Sequence, residues 1–302
     1  MIRAGNELMK MVREKLKLNQ AQMGEHLHMT QRTVSRIETG KRDLGVWEYF
    51  SLMQMAGMPT EDLSPLILES RELKDYNAYR ELKKLLMDAR FSEAKAILPK
   101  FERDLISEQP FILQFVAFAK IYIDEEMPHE LAIDGLYGAL SMSVKSFDEN
   151  RLAEYRFTYN EICILTGIAM RLEFLGKLDC AITLYKALVN SRGNALATEE
   201  DKAALYPALM FNLSTLLGKS GKYKEALSYC KDAHGISIKY NKLQLVPRIL
   251  HNMASCYRLI GEEEQIYKTH FIRAYHVAHA VEDSDAIAEI KKDAEKFGIS
   301  NF

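Results

Sequence analysis

The sequence predicts an all-α protein, and three observations support that prediction. Beyond about residue 45, apolar residues recur at spacings of three and four, with almost none of the alternation typical of strands. Residues 19–42 contain two short amphipathic segments joined by a tight turn. In the C-terminal part, a pattern of glycine and alanine returns at intervals of about 40 residues.

The two N-terminal segments have clear helix start and stop signals. Asn19, with Gln22 three residues later, is typical of a capping box, and Thr30 is suited to cap the second helix. Gly40 is suited to end that helix in a left-handed conformation. Met29 lies in the turn, and the two helices share one core whose apolar positions are Ala21, Met23 and Leu27 on the first and Val34 and Ile37 on the second.

The outer face of the second helix carries Gln31, Arg32, Ser35 and Arg36. Glutamine and arginine match the adenine and guanine edges in the major groove of DNA, although a merely solvated face is the alternative. Residues 1–45 hold nine Lys or Arg against five acidic residues, whereas the rest holds 31 against 37. The positive charge that attracts phosphate therefore lies beside this helix.

The motifs Leu-Asn-Gln-Ala (18–21), Thr-Gln (30–31) and Glu-Thr-Gly-Lys (38–41) resemble the helix-turn-helix of Cro/C1 (XRE) regulators. That resemblance implies a phosphate contact for Gln20. It also implies a buried ion pair between Arg13 and Glu38. The DNA-contacting set that it implies is Gln20, Thr30, Gln31, Arg32, Thr33, Ser35, Arg36, Lys41 and Arg42.

Two positions depart from the family pattern. Gly24 stands where alanine is usual, which costs about 1 kcal/mol in helix propensity. His28 stands where the turn usually has glycine, so we expect His28 to adopt a positive φ. Neither change removes a group that would contact DNA.

Residues 45–56 and 62–73 are predicted to complete the N-terminal head, with Gly57, Pro59 and Pro65 between them. We place a hinge at residues 68–74. The resulting domains are a helix-turn-helix DNA-binding domain over residues 1–68 and a peptide-binding and dimerisation domain over residues 69–302.

The C-terminal part contains about five predicted helical pairs. The clearest has Asn212-Leu213, Gly221, Tyr223, Ala226 and Ala233, and resembles a tetratricopeptide repeat. Further copies are marked by Asn252, Tyr257 and Gly261, by Ala169, Gly176 and Ala181, by Phe91 and Ala94, and by the segment 110–143. Stacked pairs predict a right-handed α-solenoid whose concave face is lined by the first helix of each pair.

Asn212 and Asn252 fall at the same repeat position, and their amides are suited to bind an extended peptide backbone. Arg248 and Arg258 are candidates for holding a carboxylate of that peptide. The alternatives are that the asparagines bond to a neighbouring helix and that the arginines are solvated. The complete predicted peptide-binding set is Tyr159, Asn160, Phe211, Asn212, Thr215, Arg248, His251, Asn252, Ser255 and Arg258.

A repressor-like head on a repeat body resembles the RRNPP family of quorum sensors (Rgg, Rap, NprR, PlcR and PrgX types), especially its DNA-binding members. The resemblance implies a cytoplasmic homodimer that binds a double-stranded DNA operator and responds to a short imported signalling peptide. A protein-interaction scaffold with accessory DNA binding and a metabolite-sensing regulator are the alternatives.

Catalytic motifs are absent from the sequence. There is no glycine-rich phosphate loop, Gly-x-Ser-x-Gly or His-Glu-x-x-His, so we expect no enzyme, no metal and no cofactor. The four cysteines, Cys163, Cys180, Cys230 and Cys256, are spread singly and are predicted to be buried thiols. No apolar run reaches the roughly 18 residues of a membrane span, and the N-terminus has no signal core. We therefore expect a cytoplasmic protein.

Overall fold

The computed structural model describes residues 5–58, 70–105 and 108–299, and these form α-helices without a β-sheet. The all-α prediction is confirmed. The helices are α1 Gly5–Lys15, α2 Gln20–His26, α3 Gln31–Glu38, α4 Val46–Met55, α5 Ser70–Met87, α6 Phe91–Asp104, α7 Pro110–Tyr122, α8 His129–Leu140, α9 Tyr159–Phe174, α10 Leu178–Asn190, α11 Glu199–Lys219, α12 Tyr223–Lys239, α13 Val246–Ile260, α14 Glu264–Ala280 and α15 Ser284–Lys296. Short 3-10 helices span Glu149–Glu154 and Ser191–Gly193.

The chain divides into two compact units. The first comprises Met1–Lys177 together with Ser191–Glu199, and the second comprises Leu178–Asn190 together with Glu200–Phe302. The proposed boundary between residues 68 and 69, and most of the predicted helix over 62–73, lie outside the described residues. Because α5 begins at Ser70 and continues to Met87, residues 70–74 of the predicted hinge are helical.

Helices α1–α4 form the N-terminal head around a core that includes Met9, Met23, Val34 and Ile37, all fully buried. The predicted capping is confirmed. The Asn19 and Gln22 side chains make a reciprocal capping box on α2. The Thr30 hydroxyl accepts a hydrogen bond from the Thr33 amide at the start of α3. After α3, Gly40 has a left-handed φ of 69°.

The predicted burial of Ala21 is wrong, because this side chain is exposed. The buried positions of α2 are Met23 and Gly24, and the cap residue Leu27 continues the same side. These positions are one, three and four residues apart and lie on one side of a helical turn, whereas Ala21 points away from it.

An aromatic cluster packs the head against the first repeat helices within the first unit. The ring centroid of Tyr76 in α5 lies 6.2 Å from that of Trp47 and 5.6 Å from that of Phe50, both in α4. Trp47 also lies 5.8 Å from Phe111 of α7. Such ring pairs combine apolar burial with a defined geometry, so the head has a fixed contact with α5 and α7.

In the described part of the chain, ten helices follow the head in the order that the five predicted pairs require: α5 and α6, α7 and α8, α9 and α10, α11 and α12, and α13 and α14. Helix α15 comes after them. The glycines that mark the last three pairs, Gly176, Gly221 and Gly261, have φ values of 72°, 75° and 88°. Glycine adopts this conformation without a Cβ penalty, so it ends the first helix of each pair. No helix among the described residues is both long enough and apolar enough for a bilayer crossing.

The thiol prediction holds for three cysteines and is wrong for the fourth. Cys163, Cys230 and Cys256 are buried. Burial raises the pKa of Cys230 to about 12 and that of Cys256 to about 11, so both stay protonated. Cys180 is exposed because it lies in the first turn of α10, before the buried stripe that starts at Ala181.

Gly24 has a packing reason that its helix propensity does not reveal. A Cβ added at Gly24 would lie 2.5 Å from the Met29 carbonyl oxygen, because the chain turns back closely over α2. The Met29 amide donates to the Gly24 carbonyl at 2.8 Å, which holds the turn in that position.

We therefore expect Gly24→Ala to destabilise the head even though alanine favours helix by about 1 kcal/mol. Overpacking at such a contact costs about 1–3 kcal/mol, which outweighs that gain. Urea unfolding measures the difference, with Gly138→Ala as the matched control. Gly138 is an exposed helical glycine with open space at its Cβ position, and its replacement should stabilise by about 0.5–1 kcal/mol. Stabilisation by both variants would contradict this account of Gly24.

Candidate functional site

The carboxylate of Glu38 joins the three helices of the helix-turn-helix region. The Arg13 guanidinium of α1 donates to it from Nε at 2.6 Å and from Nη2 at 3.3 Å. The Gln20 amide at the start of α2 donates to Oε2 at 2.8 Å. The Glu38 side chain is only 6% exposed, so these charge-assisted bonds are shielded from water. The predicted ion pair of Arg13 and Glu38 is confirmed.

The outer face of α3 is open to solvent. Gln31, Arg32 and Arg36 are exposed, while Thr33 and Ser35 are half-buried. Val34 and Ile37 are fully buried on the opposite side. The helix is thus anchored by its apolar stripe, and its glutamine and arginine side chains are presented together on one surface.

The flanks of this surface carry the other predicted DNA contacts. Thr30 uses its hydroxyl to cap α3, so it positions the helix as well as lying beside its exposed start. Lys41 and Arg42 are exposed just after α3, and Arg42 Nη2 lies 3.3 Å from Glu48 Oε1. The Gln20 amide nitrogen bonds to Glu38, and its phosphate contact stays a prediction.

The turn before α3 is held by the connection between α8 and α9. His28 has a positive φ of 55°, as predicted, and its Nδ1 lies 3.2 Å from the Met142 carbonyl oxygen. Arg156 donates to the Leu16 carbonyl. Burial lowers the pKa of His26 and His28, against the opposing effect of the Glu161 carboxylate, which is fully buried. Both imidazoles are therefore neutral at neutral pH.

Glu161 is fixed by other residues of the first unit. The Ser143 hydroxyl donates to its Oε1 at 2.6 Å and the Thr158 amide to its Oε2 at 2.7 Å. Gln114 of α7 donates to Ser143 Oγ at 2.8 Å. This polar chain gives the connection that contacts the head a defined position. Sequence reasoning missed it, because Gln114 and Ser143 are far from Glu161 in the chain. The Thr158–Glu161 capping box was the one local signal that could have pointed to this site.

In the second unit, both predicted asparagines bond to a neighbouring helix. Asn212 Nδ2 donates to the Tyr185 hydroxyl of α10 at 3.2 Å. Asn252 Nδ2 donates at 2.7 Å to Ser214 Oγ, and it lies 3.5 Å from Thr215 Oγ1. Both asparagines thus make the hydrogen bonds to a neighbouring helix that the sequence analysis gave as the alternative to peptide binding. Phe211 and Ser255 are half-buried on the same two helices, α11 and α13.

The arginine and histidine candidates of α13 have partners near the C-terminus. Arg248 lies 3.3 Å from Asp283 Oδ2 and 3.8 Å from Glu289 Oε2. His251 is buried with Nε2 3.2 Å from Asp293 Oδ2, and burial lowers its pKa. The Arg258 guanidinium lies over the Phe297 ring, 3.8 Å from its centroid. These contacts therefore join α13 to α15 and to the residues on either side of it, Asp283 and Phe297.

Tyr159 and Asn160 lie in the first unit, at the start of α9. Both are buried, and Lys83 Nζ lies 4.0 Å from the centre of the Tyr159 ring. Asn160 Nδ2 donates to the Phe111 carbonyl at 2.8 Å. These contacts connect α9 to α5 and α7.

Comparison with known proteins finds the same helix-turn-helix domain and the same overall fold. Residues 7–66 match a family model described as a helix-turn-helix domain. Among solved structures, PlcR from Bacillus thuringiensis in complex with the peptide PapR7 and DNA matches with a TM-score of 0.60 at 19% identity, over 98% of this chain and 99% of PlcR. The chain carries a helix-turn-helix domain and has the fold of PlcR.

ComR from S. thermophilus, in complex with DNA and its signalling peptide ComS, matches with a TM-score of 0.56 at 15% identity, covering 97% of this chain and 99% of ComR. ComR from Streptococcus vestibularis, in complex with its cognate signalling peptide XIP, matches with a TM-score of 0.55 at 14% identity, covering 98% of each chain. No curated protein matches by sequence. The resemblance to PlcR-type regulators is thus confirmed for the fold.

The Glu38 contacts make a prediction about stability. Glu38→Gln leaves the Arg13 charge, which is 17% exposed, without its partner. We expect a loss of roughly 2–3 kcal/mol, less than for a fully buried pair because water reaches Arg13 in part. Chemical denaturation measures it, followed by the double variant Arg13→Met with Glu38→Leu.

The double variant should recover much of the loss, since removing both charges leaves no buried ion unpaired. Equal losses in the single and double variants would show that the pair itself supplies the stability. No loss in Glu38→Gln would show that the carboxylate does not hold the three helices together.

Proposed function

We propose that this protein is a cytoplasmic transcription regulator that binds operator DNA through its head as a homodimer and is controlled by a short signalling peptide. The proposal assigns DNA binding to residues 1–68, and peptide binding and dimerisation to residues 69–302. The observation that carries it is the exposed face of Gln31, Arg32 and Arg36 on an internally anchored helix of a helix-turn-helix domain.

DNA recognition follows from the chemistry of α3. In helix-turn-helix proteins the second helix enters the major groove and the first crosses the phosphate backbone. Arg32 and Arg36 offer paired donors for guanine, and the Gln31 amide offers a donor and an acceptor for adenine. The exposed cations Lys41 and Arg42 are placed to contact phosphates, which position the protein without reading sequence.

Peptide control is supported by the fold and by the polar groups of α11 and α13. The structures of PlcR and ComR that share this fold contain a peptide as well as DNA. Asn212, Thr215 and Asn252 are half-buried hydrogen-bonding side chains on two first helices of repeat pairs. A peptide backbone bound along them would compete with the present partners Tyr185 and Ser214. An acidic group of the peptide would compete similarly for Arg248.

The DNA part of the proposal is tested with Arg36→Ala. Preferred sites are first selected from random-sequence duplexes by the wild-type protein, and affinity is then measured at fixed salt. We expect a loss of about 1–3 kcal/mol in binding and relaxed preference at one base position. Arg103→Ala, which removes an exposed arginine from α6, should leave both unchanged. Unchanged discrimination by Arg36→Ala would show that α3 is not the reading helix.

The peptide part is tested with synthetic peptides from the C-terminal ends of small open reading frames next to the gene. We expect one of them to bind the wild-type protein and to change its DNA affinity. Asn212→Ala and Asn252→Ala should each weaken peptide binding about tenfold, the equivalent of one lost hydrogen bond. Asn190→Ala, at an exposed end of α10, is the control. If no peptide alters DNA binding, peptide control is refuted and the DNA-binding part of the proposal stands.

A further inference from the structure

One residue of the head's core comes from far along the chain. Leu196 is 2% exposed and belongs to the cluster formed by Met9, Met23, Ile37, Leu52 and their neighbours. Of the described residues in this cluster, Leu196 alone comes from beyond the head. The helix-turn-helix core is thus completed by a side chain from the connection between α10 and α11.

The connection Ser191–Glu199, which we call the insert, is held firmly in the first unit. The Leu196 amide donates to the Phe157 carbonyl at 2.8 Å, next to a parallel bridge between Thr158 and Leu196. Ala195 and Ala197 on either side are buried as well. Ala195–Ala197 lie outside any helix, yet all three are buried and Leu196 pairs through its backbone, so this part of the insert is fixed in place.

The insert has an unusual position in the chain. It belongs to the same compact unit as the head, whereas Leu178–Asn190 before it and Glu200–Phe302 after it belong to the other unit. The two segments of the second unit are therefore joined by the insert, one at each of its ends. A displacement of the end of α10 or the start of α11 has to be absorbed within nine residues, three of which are buried beside the head.

We propose that the insert couples the repeat helices α10 and α11 to the head, with Leu196 as the positioning residue. When these helices move, the insert shifts Leu196 within the core that supports α1, α2 and α3. Coupling of this kind is reciprocal, so loosening Leu196 also loosens the ends of α10 and α11. Its meaning as the route from peptide to DNA rests on the proposed function, but the coupling itself does not.

The sequence around Leu196 agrees with this role. The run Asn194-Ala195-Leu196-Ala197-Thr198 places three apolar residues between polar ones in a loop between two helices. A connection that only crossed the surface would have no need of buried apolar residues. Leu196 is the largest of the three, and it enters the head's core.

The coupling is tested by amide hydrogen exchange on the full chain without DNA or peptide, so the result is independent of the proposed function. The variants are Leu196→Ala and the matched control Leu27→Ala, which removes the same atoms from the same core but belongs to the head. Both should speed exchange in α1 and α3. Leu196→Ala alone should also speed exchange about tenfold at the end of α10 and the start of α11.

Equal exchange patterns in the two variants would overturn the proposal, because Leu196 would then be ordinary core filling. Should Leu196→Ala fail to fold, Leu196→Val is the replacement, with Leu27→Val as its control. A further variant carries two glycines inserted between Gly193 and Asn194 and two more between Thr198 and Glu199. In that background Leu196→Ala should no longer alter α10 and α11. If it still does, the effect does not pass through the insert.

Discussion

The Glu38 carboxylate is the constraint on which the geometry of the helix-turn-helix head depends. It is nearly excluded from water, so it needs strong partners, and it finds them on two other helices in Arg13 and Gln20. A buried charge with partners from α1 and α2 fixes the start of α2 and the end of α3 relative to α1. The exposed face of α3 then follows from the apolar stripe of Val34 and Ile37, which leaves Gln31, Arg32 and Arg36 outside.

The head is not an isolated module in this structure. Aromatic rings of α4 pack on Tyr76 and Phe111, the turn before α3 meets the Met142 carbonyl, and Leu196 enters the core. These contacts come from α5, α7, the α8–α9 connection and the insert. None of them covers the glutamine and arginine side chains of α3, which stay exposed. The arrangement therefore joins the head to the repeat helices while its candidate DNA surface remains accessible.

Two asparagines of the repeat helices have structural partners at the positions where a peptide is proposed to bind. A half-buried amide must keep a hydrogen-bond partner, so Asn212 and Asn252 bond to Tyr185 and Ser214 across helix boundaries. Under the proposed function, a peptide would replace these hydrogen-bond partners by its own backbone groups at little net cost. The amide nitrogens that make the structural bonds are therefore the same atoms that the proposed function assigns to peptide binding.

The sequence by itself determined the all-α class, the caps at Asn19 and Thr30, the left-handed Gly40 and the order of the repeat pairs, because these follow from local periodicity and backbone preference. The left-handed His28 followed from the resemblance to a family whose turn has glycine there. The structure corrected Ala21 and Cys180, whose burial depends on which side of a short helix meets its neighbour. It also decided the contacts that no local pattern encodes: Leu196 in the head's core, the bond of Ser143 to Glu161, and the partners of Arg248 and His251. Such contacts join residues separated by many helices, so only the packing of the folded chain selects them.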